Sequence, residues 1–470
     1  MKDIRLKQRL IRLVEQLSQK PTASVPLACG NWAQTKASYR FWDNKKVDVD
    51  QIIAAHQAST LDRAKDEEII LAIQDTTDLD FTDHPNTAGL GHLDAKYLRG
   101  LKVHSTLAAS TAGVPLGILA QEIWARDPTT IGKKHQRKQK ETKEKESQRW
   151  LNAERKTVKN IQPGQTIITV ADREADIFDL FSQVAGGDGE FLIRACHNRC
   201  VDSELSYLIP TIEAATIAGY TTVNIERNPV NAARAARLSI QFMTTEIYSP
   251  AGRKLSQSAP PVTVNVILAT EVDSPEGVEP IRWLLLTTLA VDSVATAMTY
   301  IRYYTLRWLI ERYHYTLKSG CQLEELQLET ADRIKRAFVT YSLVAWRLLW
   351  LTYQSRLEPD TSCECILETD EWQALACHHL GQVQPPVAPP TLGEAVLMLA
   401  RLGGFLARRG DGVPGVKTIS REFLAFDRFG RNVATSPSTS ASHLGGTDSV
   451  TFATQKLHYL WVMDSFLRGI

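Results

Sequence analysis

Two short apolar runs, each followed at once by an aspartate, constrain the fold of this chain more than any other feature. Ile69-Ile-Leu-Ala-Ile-Gln74 leads into Asp75, and Thr166-Ile-Ile-Thr-Val-Ala171 leads into Asp172. Runs of this length read as buried strands, and a carboxylate just past such a strand is held rigidly where strands emerge from a sheet. A third acid, Glu311, lies inside the helical pattern Tyr304-Thr-Leu-Arg-Trp-Leu-Ile-Glu-Arg-Tyr-His-Tyr-Thr-Leu-Lys318. Carboxylate oxygens suit Mg²⁺, and a pair of such ions can stabilise the attacking and leaving oxygens of an in-line displacement. The three acids therefore predict a two-metal phosphoryl-transfer centre of the nuclease or transposase type.

The surrounding pattern predicts an α/β chain. Its 470 residues, 43% of them hydrophobic, suffice for several cores. Residues 1–20 form an amphipathic helical pattern, with Leu6, Leu10, Leu13, Val14 and Leu17 on one face and basic residues over much of the rest. Further helices are expected over 31–42 and 49–64, which makes residues 1–65 a small helical domain. From residue 66 to 196 strands alternate with helices. Residues 69–73 form a strand, 101–109 and 116–125 its antiparallel neighbours, 166–170 and 190–195 two more, with a helix over 173–184. That order is ribonuclease-H-like. Residues 197–290 are rich in Thr, Val and Ile with two Pro/Gly turns, and read as a mostly β insertion. Helix resumes near Val291 and runs to about Gly320, so the core continues over 291–380. Pro385-Pro-Val-Ala-Pro-Pro390 is a stiff linker, a helix is expected over 392–409 within a C-terminal helical region 391–431, and the Ser/Thr-rich tail 432–470 is expected to be partly disordered.

Charge and cysteine content narrow the classes. The net charge of +1 does not advertise nucleic acid, but residues 133–159 hold eleven Lys/Arg against four Glu. Such a run is commonly a solvated face, and it gains meaning only beside a site that needs DNA. Seven cysteines without a regular framework fit a reducing cytoplasm. Cys363-Glu-Cys365 and Cys377-His378-His379 fit no usual zinc spacing. The N-terminus lacks a signal-peptide core, and the apolar stretch 338–353 carries Arg347, so a buried helix is expected there and no membrane span.

The glutamate helix offers more than one carboxylate. Tyr304, Arg307, Glu311 and Lys318 recur at intervals of three, four and seven, along one side of a helix. Arg can grip phosphate through two N–H groups and Lys as a point charge. By itself the stripe is better read as an exposed helix with an Arg307–Glu311 pair and Lys318 in water; the two aspartates at strand ends reverse that preference. Asp78, Asp80, Glu174 and Asp176 read as caps of the following turns. Arg194 either points to the same edge or pairs with Glu174 or Asp176. Trp283 and Trp308 default to core, although an aromatic near such a site can also hold an unstacked base.

Together these stretches resemble the DDE transposases of the insertion-sequence-four group, the relatives of the transposon-five transposase. The resemblance is carried in order by Ala37-Ser-Tyr-Arg-Phe41, Gln74-Asp-Thr-Thr77, His104-Ser105, the segment from Lys145-Glu-Ser147 to Trp150, and Ala171-Asp-Arg-Glu-Ala-Asp176. It continues through Phe191-Leu-Ile-Arg194, Trp283-Leu-Leu-Leu-Thr287, the Tyr304–Lys318 stripe and Ala400-Arg-Leu-Gly-Gly-Phe405. The Tyr-Arg-Glu-Lys signature is the group's own.

The resemblance implies Asp75, Asp172 and Glu311 as metal ligands and catalytic residues, with two Mg²⁺ ions that Mn²⁺ can replace. It implies Tyr304, Arg307 and Lys318 as contacts to transposon-end phosphates, Arg194 as an active-site arginine, and Trp283 and Trp308 as acceptors of a flipped base. It further implies cut-and-paste transposition in a bacterial, nucleoid-associated setting. The partners would be double-stranded DNA, as terminal inverted repeats and target, and a second copy of the chain, with residues 1–65 binding the end and 391–431 dimerising. Two departures stand out: the family carries more chain ahead of the segment matching residues 3–17, and the likeness stops after Arg431. Both leave open a catalytically silent DNA-binding relic or regulator. A stand-alone nuclease on this fold would leave the stripe and the tryptophans without a role.

Overall fold

The computed structural model describes residues 3–132, 142–159, 161–225, 233–250, 259–367, 369–382, 384–402, 405–408 and 413–415. The first third of the basic stretch, residues 133–141, and the expected Ser/Thr-rich tail lie outside the described residues.

Four helices open the chain: α1 (Ile4–Gln19), α2 (Val25–Cys29), α3 (Trp32–Asp43) and α4 (Val49–Arg63). Asp3, Asn31 and Asp48 cap α1, α3 and α4 by accepting first-turn N–H groups. The apolar face of α1 is buried as its periodicity requires, through Leu10, Leu13, Val14 and Leu17. These helices dock on the long helix introduced below, where the fully buried Trp42 donates from Nε1 to Thr340 Oγ1 at 3.3 Å.

The sheet begins with β1 (Ile69–Asp80), β2 (Gly91–His92), β3 (Arg99–Ser110) and β4 (Pro115–Trp124). After α5 (Gln148–Val158) come β5 (Thr166–Ala171), α6 (Phe178–Ala185) and β6 (Glu190–Arg194). Then follow α7 (Leu208–Glu213), β7 (Gly219–Ile225), β8 (Arg234–Ile247), β9 (Val262–Glu271) and β10 (Arg282–Thr287). The strand order is β2-β3-β1-β5-β6-β10-β9-β8-β7, with β4 on β3. β1, β5 and β6 are mutually parallel, and the remaining pairings are antiparallel. This is the ribonuclease-H-like core, with the β insertion joined edge-on through β10 rather than packed as a separate layer.

Three expectations change within the sheet and its connections. β4 does not border β1; β3 lies between them, because a hairpin-connected strand pairs with its immediate predecessor. The helix expected over 173–184 is a 3₁₀ turn, Arg173–Ala175, followed by α6. The first strand also does not end before Asp75. β1 loses its parallel partner after Ile73 faces Val170, yet continues along β3 as far as Asp80 opposite Gly100. The polar run after Gln74 ends the apolar signal but not the backbone pairing.

The helical half comprises α8 (Val294–Thr305), α9 (Trp308–Tyr315), a π-helical turn (Thr316–Gly320), α10 (Ala331–Leu357), α11 (Thr369–Leu380) and α12 (Leu392–Leu402). The single helix expected to carry Glu311 is therefore segmented. Thr305 Oγ1 donates back to Arg302 O at 2.7 Å, the side-chain competition that bends helices, and Arg307 stands at the junction as the N-cap of α9. Of the helix expected over 392–409, α12 accounts for Leu392–Leu402, and residues 405–408 are not helical. Among the described residues no helix is long and apolar enough to cross a membrane.

The period of two along β1 decides which face each residue serves. Ile70 and Ala72 join a small core with Ala64, Ala108 and Ile167, while Leu71 and Ile73 join the main core with Leu309, Ile310, Tyr313 and Leu317. Asp75 continues the second series. It consequently faces α9.

Candidate active site

β1 and β5 run in parallel to a common edge. Asp75 sits two residues past the last β1–β5 pair, and Asp172 is the first residue after β5. Asp75 is mostly buried, with 19% of its side chain exposed, while Glu311 on α9 is 55% exposed. The charges of the three acids and Arg307 act on one another. Burial pushes the Asp172 carboxyl above its ordinary range, and the Asp75 and Glu311 carboxylates push it the same way. The Glu174 N–H, which Asp172 accepts at 2.9 Å, and Arg307 oppose that rise without overcoming it. Asp75 goes the other way. Burial would raise it, but His314, the Thr76 N–H and Arg307 bring it below its ordinary value.

Arg307 bonds Glu311 through Nη2, and its own proton is held more tightly despite burial because Glu311, Tyr304 and Asp172 surround it. One guanidinium thus serves a concentration of carboxylate. This imbalance of oxygen donors over cations fits hard divalent ions, which take carboxylate ligands.

The other residues expected at the site fall into two groups. Tyr304 is buried, with Arg307, Arg194 and Asp172 as its electrostatic neighbours, and its ring meets the edge of Trp283 at 5.4 Å. Arg194, the last residue of β6, donates from Nη2 to Arg282 O at 2.9 Å. It does not pair with Asp176, whose carboxylate belongs to Arg199. Trp308 instead packs edge-on to Tyr353 at 5.8 Å with the Arg312 guanidinium 5.0 Å from its ring. Lys318 lies in the π-helical turn, 3.6 Å from Glu324. Such turns recur at functional sites.

The remaining acids are sorted by their partners. Asp78 pairs with the buried Lys102 at 2.6 Å, and Asp80 caps its turn through Thr82 N at 2.9 Å. Glu174 does not cap; it is capped on, and burial with the charges of Asp172 and Asp75 pushes its carboxyl up. Asp176, Cys196 and His197 approach closely enough to suggest a metal site. However, Asp176 already accepts from Arg199 Nε (2.9 Å), Cys196 N (2.7 Å) and His197 N (2.8 Å), which occupies its lone pairs with structure. Cys363 and Cys377 are not part of that group.

Residues not anticipated from the sequence support the strand and helix that carry the acids. His104 is buried behind Asp75, bridging Thr76 Oγ1 (2.9 Å) and Gln74 Oε1 (3.1 Å), and burial drives its pKa down to about 3. Because Gln74 Oε1 can only accept, His104 Nε2 carries the proton and Thr76 donates to Nδ1. On the Asp75 face, Gln121 Nε2 donates to Tyr313 OH (2.8 Å) and Ser105 Oγ (3.2 Å), and Ser342 Oγ donates to Gln121 Oε1 (2.9 Å). Tyr313 completes this buried ring through Ser342. Spacing alone gives no signal for it. His314 was within reach, standing three residues beyond Glu311 on the same helical side.

A ribonuclease-H-like sheet with carboxylates gathered where its parallel strands emerge is the frame of an enzyme acting on nucleic-acid phosphodiesters. The family comparisons narrow that class. Residues 71–347 match the family Transposase DDE domain, residues 1–47 match Transposase DNA-binding, and residues 343–438 match Transposase Tn5 dimerisation domain. This chain belongs to the DDE transposases, in their Tn5-like form, and membership carries DNA binding, dimerisation and the use of a divalent metal.

Proposed function

We propose that this DNA transposase moves its element by a cut-and-paste route, with Asp75, Asp172 and Glu311 as the metal ligands. The observation that carries the reading is the mutual approach of these acids around Arg307, at the edge where β1 and β5 emerge. Two Mg²⁺ ions, or Mn²⁺ in their place, would supply Lewis-acid stabilisation of the attacking and leaving oxygens. Water attack on the transposon-end phosphodiester frees a 3′-OH. That hydroxyl attacks the opposite strand to close a hairpin, a second water opens it, and the 3′-OH finally attacks target DNA.

The chain's own residues bind and orient throughout. Arg307 balances the carboxylates and, with Tyr304, Lys318 and Arg194, grips end phosphates, Arg through paired N–H groups and Lys as a point charge. Trp283, beside Tyr304, and Trp308, beside Tyr353, receive the base displaced at the hairpin. Residues 1–65 recognise the terminal inverted repeat, and 391–431 hold two copies together so that both ends are synapsed. The setting is a bacterial cytoplasm, at the nucleoid.

The test uses labelled duplex ends from the element's own flanks, incubated with the full chain in Mg²⁺ or Mn²⁺ and resolved under denaturing conditions. Nicked, hairpin and strand-transfer products that vanish in Glu311→Ala are expected. Bound DNA with no cut strand would replace this reading with that of a silent regulator.

A further inference from the structure

His314 is buried, 5% exposed, on α9 between Glu311 and the π-helical turn. Its Nδ1 lies 3.6 Å from Asp75 Oδ2, and its Nε2 has no hydrogen-bond partner among the described residues. An ionised carboxylate can only accept, so a hydrogen bond that closes this gap runs from Nδ1–H to Asp75 Oδ2. The ring is held in place by its neighbour Tyr313, 5.6 Å away between ring centres, which is itself tied to β3, β4 and α10 through Ser105, Gln121 and Ser342.

We infer that His314 is a positioning residue: its Nδ1–H fixes one oxygen of Asp75, so that the other is presented to the metal and the strand acid is registered to the helix bearing Glu311. The inference rests on the reading of Asp75 and Glu311 as ligands. The two acids come from elements distant in sequence, and His314, on the glutamate helix, brings its Nδ1 to 3.6 Å from the aspartate. Partners that orient metal-binding side chains commonly influence affinity by about 10- to 100-fold.

The experiment is Mn²⁺ binding to the full chain by calorimetry, in wild type, Asp75→Asn, His314→Leu, His314→Asn and His314→Gln, with thermal melts of each. The Asn amide nitrogen falls where Nδ1 lies, whereas the Gln amide nitrogen falls where Nε2 lies. Weakening of Mn²⁺ binding by about tenfold or more in His314→Leu and His314→Gln, with affinity near wild type in His314→Asn, is expected. Should His314→Leu fail to fold, the Asn and Gln pair decides alone. Affinity unchanged in His314→Leu or His314→Gln, or weakened equally in His314→Asn, overturns the positioning role. Affinity unchanged in Asp75→Asn, or no binding by wild type, overturns the ligand reading itself and the inference with it.

Discussion

Asp172 and Asp176 stand four residues apart in one turn, and their surroundings are opposite. Asp176 accepts from two backbone N–H groups and from the Arg199 guanidinium, which also reaches the Asp176 carbonyl and lies over Phe181. Asp172 accepts one N–H and faces burial and two like charges, with Arg307 opposing them only in part. A buried charge fully matched by donors is a piece of architecture. A carboxylate left short of donors beside other carboxylates is poised for something the chain does not itself contain. With Asp172 as a metal ligand, as proposed, the difference separates function from structure where residue type and spacing cannot.

Substituting the two acids in turn is the strongest way to break this contrast. Asp172→Asn should lower end cleavage by at least about 100-fold, the scale of losing one electrostatic stabiliser from an active site, while leaving the melting temperature as high or higher. A labelled-end assay beside a thermal melt reads both. Asp176→Asn should do the reverse, costing about 3–5 kcal/mol in urea unfolding because Arg199 is left buried without its partner charge. If Asp176→Asn keeps full stability, the contrast fails.

A smaller effect sharpens the comparison with a neutral network. Tyr313→Phe removes one member of the Gln121–Tyr313–Ser342 ring and should cost about 1–3 kcal/mol, the price of an unsatisfied buried polar group. Urea unfolding of the variant measures it. The smallest expected effect concerns Glu15 on α1, away from the three acids, where burial raises the carboxyl from 4.5 to about 7. A raised folded-state pKa contributes stability that is fully present below the unfolded value and is lost as pH rises through the folded one. Glu15→Gln should therefore match wild type at about pH 4 and be the more stable protein at about pH 8, by the same unfolding measurement. An identical pH dependence in both would show that an under-satisfied carboxylate need not be strained.

The sheet was readable because its central strands are short apolar runs, and α1 because its leucines repeat at helical spacing. The placement of the two aspartates at a common sheet edge was readable for a related reason: each adjoins an unmistakable apolar run. What lay beyond the sequence depended on pairing and partners. The extension of β1 past Asp75 is held by β3, whose hydrogen bonds a polar run does not advertise. The break after Thr305, where Thr305 Oγ1 turns back to Arg302 O, falls at a place that the periodicity does not mark. Arg199 took Asp176 from Arg194 by folding over Phe181, and no spacing rule ranks two arginines five residues apart.

The seam between β6 and β10 has a practical consequence. β6 ends in Arg194, and β10 carries Trp283 alongside it in the same sheet. Shortening the protein by excising residues 197–290 would strip the hydrogen-bonded neighbour from β6 and expose a flat apolar edge, the kind of surface on which chains stack and precipitate. A minimised version of this enzyme must therefore retain β10, or cap that edge with charge, before trimming anything else from the insertion.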